Sequence, residues 1–129
     1  MPPDDDEFVL ETPATALAAP VVRAMAAAVA MAHDVALEEI TDIRLAVDEA
    51  CSLLLPLAAP ATKLCCAVRI GDTGVDVTVR VISTAERLPD TVDLQILRAL
   101  TADLQTRVEP AGPGTTCLLI RLLMTRTPV

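Results

Sequence analysis

Two adjacent carboxylates, Asp48 and Glu49, are the residues best placed to do chemistry. They lie in the later turns of Glu38 to Leu55 (EEITDIRLAVDEACSLLL), a stretch whose spacing argues for a helix. A helical glutamate can serve as a general base, and the residue four positions further on shares its face. That residue is Leu53, which has no oxygen to offer a cation or a proton. Other sources of chemistry are thin. Cys51, Cys65, Cys66 and Cys117 include no C-x-x-C pair and no histidine at ligand spacing, so a zinc site is not expected and buried cysteines acting as small apolar residues are. Cys65 and Cys66, adjacent in an expected strand, point to opposite faces. The one histidine, His33, falls at the end of an expected helix, where a cation suits the dipole, and a single histidine supports no Ser/His/Asp set. GxxxxGK and GxGxxG are both absent.

The element that positions Asp48 and Glu49 is well marked. Ile40, Ile43, Val47, Ala50, Cys51 and Leu54 step by three and four, laying one apolar stripe along an amphipathic helix. Glu38, Glu39 and Asp42 favour its N-terminal turns, and Pro56 ends it. Upstream, Glu7 to Glu11 reads as a short strand. Thr12 to Asp34 reads as a helix, either capped by Thr15 and kinked at Pro20 or begun at Pro20 itself. This helix has two apolar stripes, one of Leu17, Val21, Ala24, Ala28 and Ala32 and one of Val22, Met25 and Val29. A sheet can cover one of them, and a second copy or a partner protein must cover the other.

Downstream, Pro56 to Thr62 is a loop. Leu64 to Ile70 and Val75 to Ile82 read as strands joined by Gly71-Asp72-Thr73-Gly74, because Val75, Val77, Val79 and Val81 alternate with Asp76, Thr78 and Arg80. After the polar connection Ser83 to Asp90, Thr91 to Leu104 returns to helical period. Thr106 to Glu109 is a short strand, Ala111 to Gly114 a turn, and Thr115 to Met124 a final long strand. The order strand, helix, helix, strand, strand, helix, strand, strand predicts an α/β fold: a two-layer sandwich with helices on one face of a mixed, mainly antiparallel sheet. Residues 1–6 are expected as an acidic tail, 7–124 as one domain and 125–129 as a C-terminal tail.

Composition narrows the function. A chain of 129 residues fits one domain, and a hydrophobic content of 53% with Phe8 as the sole aromatic gives an aliphatic core. A net charge of -8 repels phosphate backbones, and without aromatic stacking platforms nucleic acid is not an expected direct partner. The Ala-rich segment from Ala14 to Ala32 is interrupted by Pro20 and Arg23, which argues against a bilayer span. The start, MPPDDDE, is acidic where a secretory signal is basic, so the expected location is cytoplasmic, with no disulfide framework.

The segment DIRLAVDEACSLLL, in the second helix of this element order, resembles the N-box helix of RsbW-type anti-sigma factors, serine protein kinases of the GHKL or Bergerat-fold, histidine-kinase-like ATPase superfamily. That helix has the pattern (D/E)-I-(K/R)-x-A-V-x-E-A-C-T-N. The resemblance extends to the first helix, through the distance from Arg23 to Glu49, and to the final GT-x-x-x-L pattern at Gly114-Thr115-Thr116-Cys117-Leu118-Leu119. It implies the Bergerat type of two-layer sandwich, a sigma factor as partner, a STAS-domain anti-anti-sigma factor as antagonist, a homodimer, and a kinase that uses ATP and Mg²⁺ to phosphorylate the antagonist. By the same resemblance Glu49 is the vestige of a general base, Gly114 and Thr115 touch the nucleotide, and Arg23 belongs to the partner surface.

The sequence departs from the family where the nucleotide binds. The magnesium-binding asparagine falls at Leu53, or at Ser52 in a slack register, and Mg²⁺ demands oxygen ligands. Where the family has D-x-G-x-G stands Val81-Ile82-Ser83-Thr84-Ala85, and where it has a glycine-rich lid stands Leu88-Pro89-Asp90-Thr91-Val92-Asp93. No metal site and no efficient use of ATP are therefore expected. An ordinary reading of Glu49, paired with Arg44 or Lys63, stays open. The leading expectation is an anti-sigma factor that sequesters an alternative sigma factor through Arg23, Val22, Met25 and Val29. The alternatives are an active serine kinase, or a ligand-sensing or scaffold domain of the same fold.

Overall fold

The computed structural model describes residues 6–88 and 93–128. Of the expected acidic tail, residues 1–5 lie outside the described residues, as do Pro89, Asp90, Thr91 and Val92 of the expected lid and third helix. The elements run β1 (Glu7–Pro13), α1 (Ala18–Ala32), α2 (Leu37–Leu54), a 3-10 turn (Leu55–Leu57), β2 (Lys63–Ile70), β3 (Gly74–Ser83), α3 (Gln95–Leu100), β4 (Asp103–Gly112) and β5 (Thr115–Thr125). The expected element order therefore holds.

The five strands form one sheet in the order β1-β2-β3-β5-β4. The expectation of a mixed sheet needs correction, because all four pairings are antiparallel. The chain leaves β3 through α3 and enters β4, a passage that would make a parallel neighbour. The β4–β5 hairpin instead slots β5 between them. Sequence explains which hairpin strand goes inside. β5 (TTCLLIRLLMT) is apolar on both faces, whereas β4 (DLQTRVEPAG) is mostly exposed and carries Pro110, whose missing N–H is tolerated at an edge.

One face of the sheet is covered. Val68, Val77, Val79, Ile120 and Leu122 project into a core shared with Ile43, Val47, Ala50 and Leu54 of α2 and with Val22, Ala26 and Ala30 of α1, all buried. Each large aliphatic side chain buried there contributes about 1.5–3 kcal/mol. The other face carries cross-strand ion pairs, with Arg69 on Glu7 at 3.1 Å and Arg121 forked onto both oxygens of Asp76 at 3.0 and 2.7 Å.

The first helix departs from both expected starts. α1 begins at Ala18 without a side-chain cap, and Pro20 occupies its first turn, where a missing N–H leaves no intrahelical bond unmade. It ends in a Schellman motif. Asp34 is left-handed (φ 58°), its N–H donates to the Met31 carbonyl, and the N–H of buried Val35 donates to the Ala30 carbonyl.

Val22 and Val29, expected on a partner surface, are core residues, with 0% and 7% of their surface exposed, and Met25 is half-buried against the same core. That expectation is corrected. Two apolar stripes identify a helix but not which stripe the sheet takes, and the sheet takes the one carrying Val22 and Val29. The exposed stripe is Leu17, Val21, Ala24, Ala28 and Met31.

The expected C-terminal tail is tied down. Arg126 is only 7% exposed, and its guanidinium donates to the carbonyls of His33 (2.9 Å) and Gly71 (3.4 Å). Its own N–H donates to the Thr73 carbonyl at 3.0 Å, and the Thr127 N–H donates to Glu39 Oε2 at 2.7 Å. A cation set on the carbonyl that ends α1 is favoured by the helix dipole. His33, which caps that end, donates its Nδ1–H to the Val29 carbonyl, and its ring meets that of Phe8 edge-to-face, with centroids 5.9 Å apart. His33 is thus structural.

Candidate functional site

α2 presents three sides. Ile40, Ile43, Val47, Ala50, Cys51 and Leu54 fill the core, as the spacing predicts. Thr41, Arg44, Leu45, Asp48 and Ser52 follow the outer side next to α1. Asp42, Glu49 and Leu53 follow the side toward α3, where Asp42 and Ile43 meet Ala99 and Leu100 around a cavity of about 340 Å³. Asp48 and Glu49 are adjacent in sequence and diverge in space.

The Asp48 side holds the contact that carries the site. Arg23 Nη1 of α1 donates to Asp48 Oδ1 at 2.6 Å, and both side chains remain partly exposed, 35% and 42%. One guanidinium nitrogen meets one carboxylate oxygen, although an arginine has five N–H donors in a fixed fork. Arg23, Thr41, Arg44, Leu45 and Asp48 line a shallow cavity of about 240 Å³ between the two helices, open to solvent. A carboxylate brought by another molecule meets donors of Arg23 that Asp48 does not use. Reading one helix at a time misses Asp48 in this role, because its partner lies 25 residues earlier on a different element.

Burial and charge meet at Cys51, one turn along from Asp48. Its thiol is pushed up to about 12, first by burial, then by the Asp48 carboxylate, with Arg23 acting in the opposite direction. Buried Cys66 is likewise pushed up to about 12 by its surroundings. Both are the inert interior thiols the sequence predicts, whereas Cys65 and Cys117 are half-buried on the other face of the sheet.

On the Glu49 side the residues do not fit a magnesium nucleotide. Leu53 is partly buried and packs against the aliphatic core, so an apolar side chain stands where an oxygen ligand is needed. Glu49 is half-buried, and among the described residues it has no ion pair with Arg44, Lys63 or any other cation. The segment in place of the D-x-G-x-G box closes on itself. Buried Ser83 accepts the Ala85 N–H through Oγ at 3.0 Å, and Thr116 Oγ1 donates to the Ala85 carbonyl at 2.5 Å. Thr116 stands opposite Ser83 in the β3–β5 register.

Gly114 is exposed at the β4–β5 turn, and Thr115, half-buried, opens β5. Gly114 has φ +70°, and a Cβ added there would touch nothing within 4 Å. The backbone turn therefore explains this glycine without any close approach of a ligand. Among the described residues no group of three or more His, Cys, Asp or Glu could hold a metal ion, and no helix is long and apolar enough to cross a membrane.

The architecture is a two-layer α/β sandwich with an open antiparallel sheet, and comparison with solved structures finds the same fold elsewhere. The chain is similar to a chain of the SiaB-SiaC complex from Pseudomonas aeruginosa, with TM-score 0.67, 12% identity, and coverage of 91% of this chain and 89% of that one. It is also similar to the structure of the RsbU and RsbW domains of Rv1364c from Mycobacterium tuberculosis, with TM-score 0.64, 21% identity, and coverage of 96% of this chain. This chain spans 34% of that longer one. At these identities the likeness is one of fold. No protein-family model and no curated protein matches the chain.

Proposed function

We propose that this chain is a cytoplasmic anti-sigma factor of the RsbW kind. It binds and sequesters an alternative sigma factor by covering the surface that meets RNA polymerase. A STAS-domain anti-anti-sigma factor releases it by competing for the same face, and the chain acts as a homodimer without efficient use of ATP. The observation that carries this reading is Arg23, held half-exposed by Asp48 at the open α1–α2 surface with donors left for a carboxylate on a partner. The fold likeness to the RsbU and RsbW domains, and to a chain crystallised in a two-protein complex, supports it.

Leu53 supports the part concerning ATP, since a leucine packed on the core cannot anchor Mg²⁺ between phosphate oxygens. No phosphoryl-transfer step is assigned to these residues. The test is co-elution on a sizing column with sigma factors of the source organism, for the native chain and for Arg23→Ala. Retention of one sigma factor, lost in the variant, is the expected result. Failure to retain any sigma factor overturns the reading.

One observation favours the kinase alternative. Glu49 is half-buried and not engaged by a cation among the described residues, so its carboxylate is free to act as a base. Isothermal titration with Mg-ATP decides, because micromolar binding abolished by Glu49→Ala would make the chain a kinase. Binding neither sigma factor nor nucleotide would leave a ligand-sensing or scaffold domain sharing only the fold.

A further inference from the structure

Four of the chain's 10 basic residues, Arg69, Arg80, Arg107 and Arg121, line one cavity of about 280 Å³ on the sheet face turned away from the helices. Glu7 and Asp76 are the two carboxylates that line it with them, so the cavity holds two positive charges in excess within a protein of net charge -8.

Strand register makes the cavity a bowl. Ala67 of β2 and Thr78 of β3 stand opposite each other and, having short side chains, form its floor. In the next row Arg80 of β3 and Arg107 of β4 both face Leu119 of β5, one from each side. Two strand spacings, roughly 10 Å, separate their backbones, so one group seated over Leu119 is within reach of both guanidiniums.

The four arginines are unequally committed. Arg121 is forked onto Asp76 and reaches Gln105 at 3.4 Å. Arg69 Nε lies 3.1 Å from Glu7 Oε2, yet its buried N–H makes no hydrogen bond. Arg107 has a 3.7 Å contact with Glu109 in which both side chains are mostly exposed, and Arg80 has no ion pair among the described residues. Cations on both sides of Leu119, with no carboxylate opposite either, repel each other until an anion sits between them.

The surroundings set the size of that anion. Glu11, Glu109 and Asp103 stand around the bowl on the same face, opposite Cys65, Cys117 and Leu123. A long polyanion meets their repulsion, whereas a small one stays within a screening length of about 8 Å of the arginines. Two charges in excess match a dianion. Donors arriving from two sides suit a tetrahedral phosphate better than the single plane of a carboxylate. Thr78 adds a hydroxyl and Leu119 an apolar surface for the carbon end of an ester.

We propose that this bowl binds a small phosphate dianion, free or as a monoester, between Arg80 and Arg107. The inference is independent of the proposed function, whose residues lie on α1 and α2.

The test is calorimetric titration of the full chain with inorganic phosphate, phenyl phosphate and succinate, at constant ionic strength and without magnesium. Saturable millimolar binding of both phosphates is expected, with succinate weaker. Tighter phenyl phosphate supports the ester and equal affinity supports the free ion. Arg80→Ala and Arg107→Ala each are expected to weaken binding about fivefold or more with an unchanged melting temperature, since both side chains are exposed and at most weakly paired. Glu109→Gln, which releases Arg107, is expected to tighten binding about twofold. Arg98→Ala, on exposed α3, is the control for charge alone. No saturable phosphate binding, succinate bound as tightly as the phosphates, an equal loss with Arg98→Ala, or weaker binding with Glu109→Gln would overturn the inference.

Discussion

The two sides of α2 have the same backbone and adjacent acidic residues, and they differ in what their chemistry demands. On the α1 side, one arginine opposite Asp48 is enough to make a contact that another carboxylate can share. On the α3 side, a nucleotide site would need an oxygen at residue 53 and glycine-rich backbone at two loops at once, and Leu53, Ser83 and Ala85 supply neither. A function resting on one ion pair tolerates drift around it, whereas a function resting on many simultaneous ligands fails when any of them changes. In the proposed reading this chain relies on the first kind of site and not on the second.

Both sides hang on the core stripe between them, so the largest effect comes from cutting it. Leu54→Ala, at a fully buried position, is expected to lower stability by about 3 kcal/mol in urea unfolding and to weaken both sides together. A loss under about 1 kcal/mol would mean that α2 is not the common support.

Raising pH probes the same stripe through its thiol. The folded chain holds Cys51 and Cys66 protonated up to about 12, while in the unfolded chain they ionise near 9.0. A folded-state pKa raised in this way gives stability that is complete below pH 9 and is lost as pH climbs toward 12. At pH 10 the expected loss is about 1 kcal/mol per thiol, and Cys51→Ala flattens the alkaline limb of the profile. An unchanged limb in that variant would place the alkaline transition elsewhere.

Leu53→Asn sharpens the contrast on the α3 side. Returning an amide to this half-buried position is expected to cost about 1 kcal/mol, and calorimetry is expected to detect no Mg-ATP binding, because the segment Ser83–Ala85 still lacks its glycines and its carboxylate. Micromolar binding restored by this one change would show that the site had lost a single ligand only.

How much of this was legible in sequence depended on polarity. α2 and β3 were readable because polar and apolar residues recur with a clear period, and every stripe residue named for α2 is buried. α1 resisted because both of its faces are apolar, so periodicity gave the helix and left its orientation to the sheet. β4 runs from Asp103 to Gly112, longer than the expected Thr106 to Glu109, because an exposed edge strand has no buried set to alternate. Asp103 and Leu104 belong to it rather than to the third helix, of which the described part is α3. The buried Arg126 and the Arg23–Asp48 pair join residues far apart in the chain, and no local pattern foretells such partners.

The smallest effect on stability is expected at that pair, and it separates holding the fold from holding a partner. With both side chains partly exposed and only one N–H···O contact between them, Asp48→Asn is expected to change unfolding free energy by no more than a few tenths of a kcal/mol. Its effect on binding has the opposite sign from that of Arg23→Ala. Removing the internal carboxylate frees the guanidinium, so affinity for an acidic partner surface rises about two- to fivefold at low salt and the gain shrinks as salt screens it. Arg23→Ala lowers affinity whatever stands at residue 48, so the two substitutions do not add in a double-mutant cycle. If Asp48→Asn instead weakened binding as much as Arg23→Ala, Asp48 would be orienting the arginine for its partner rather than competing with that partner for it.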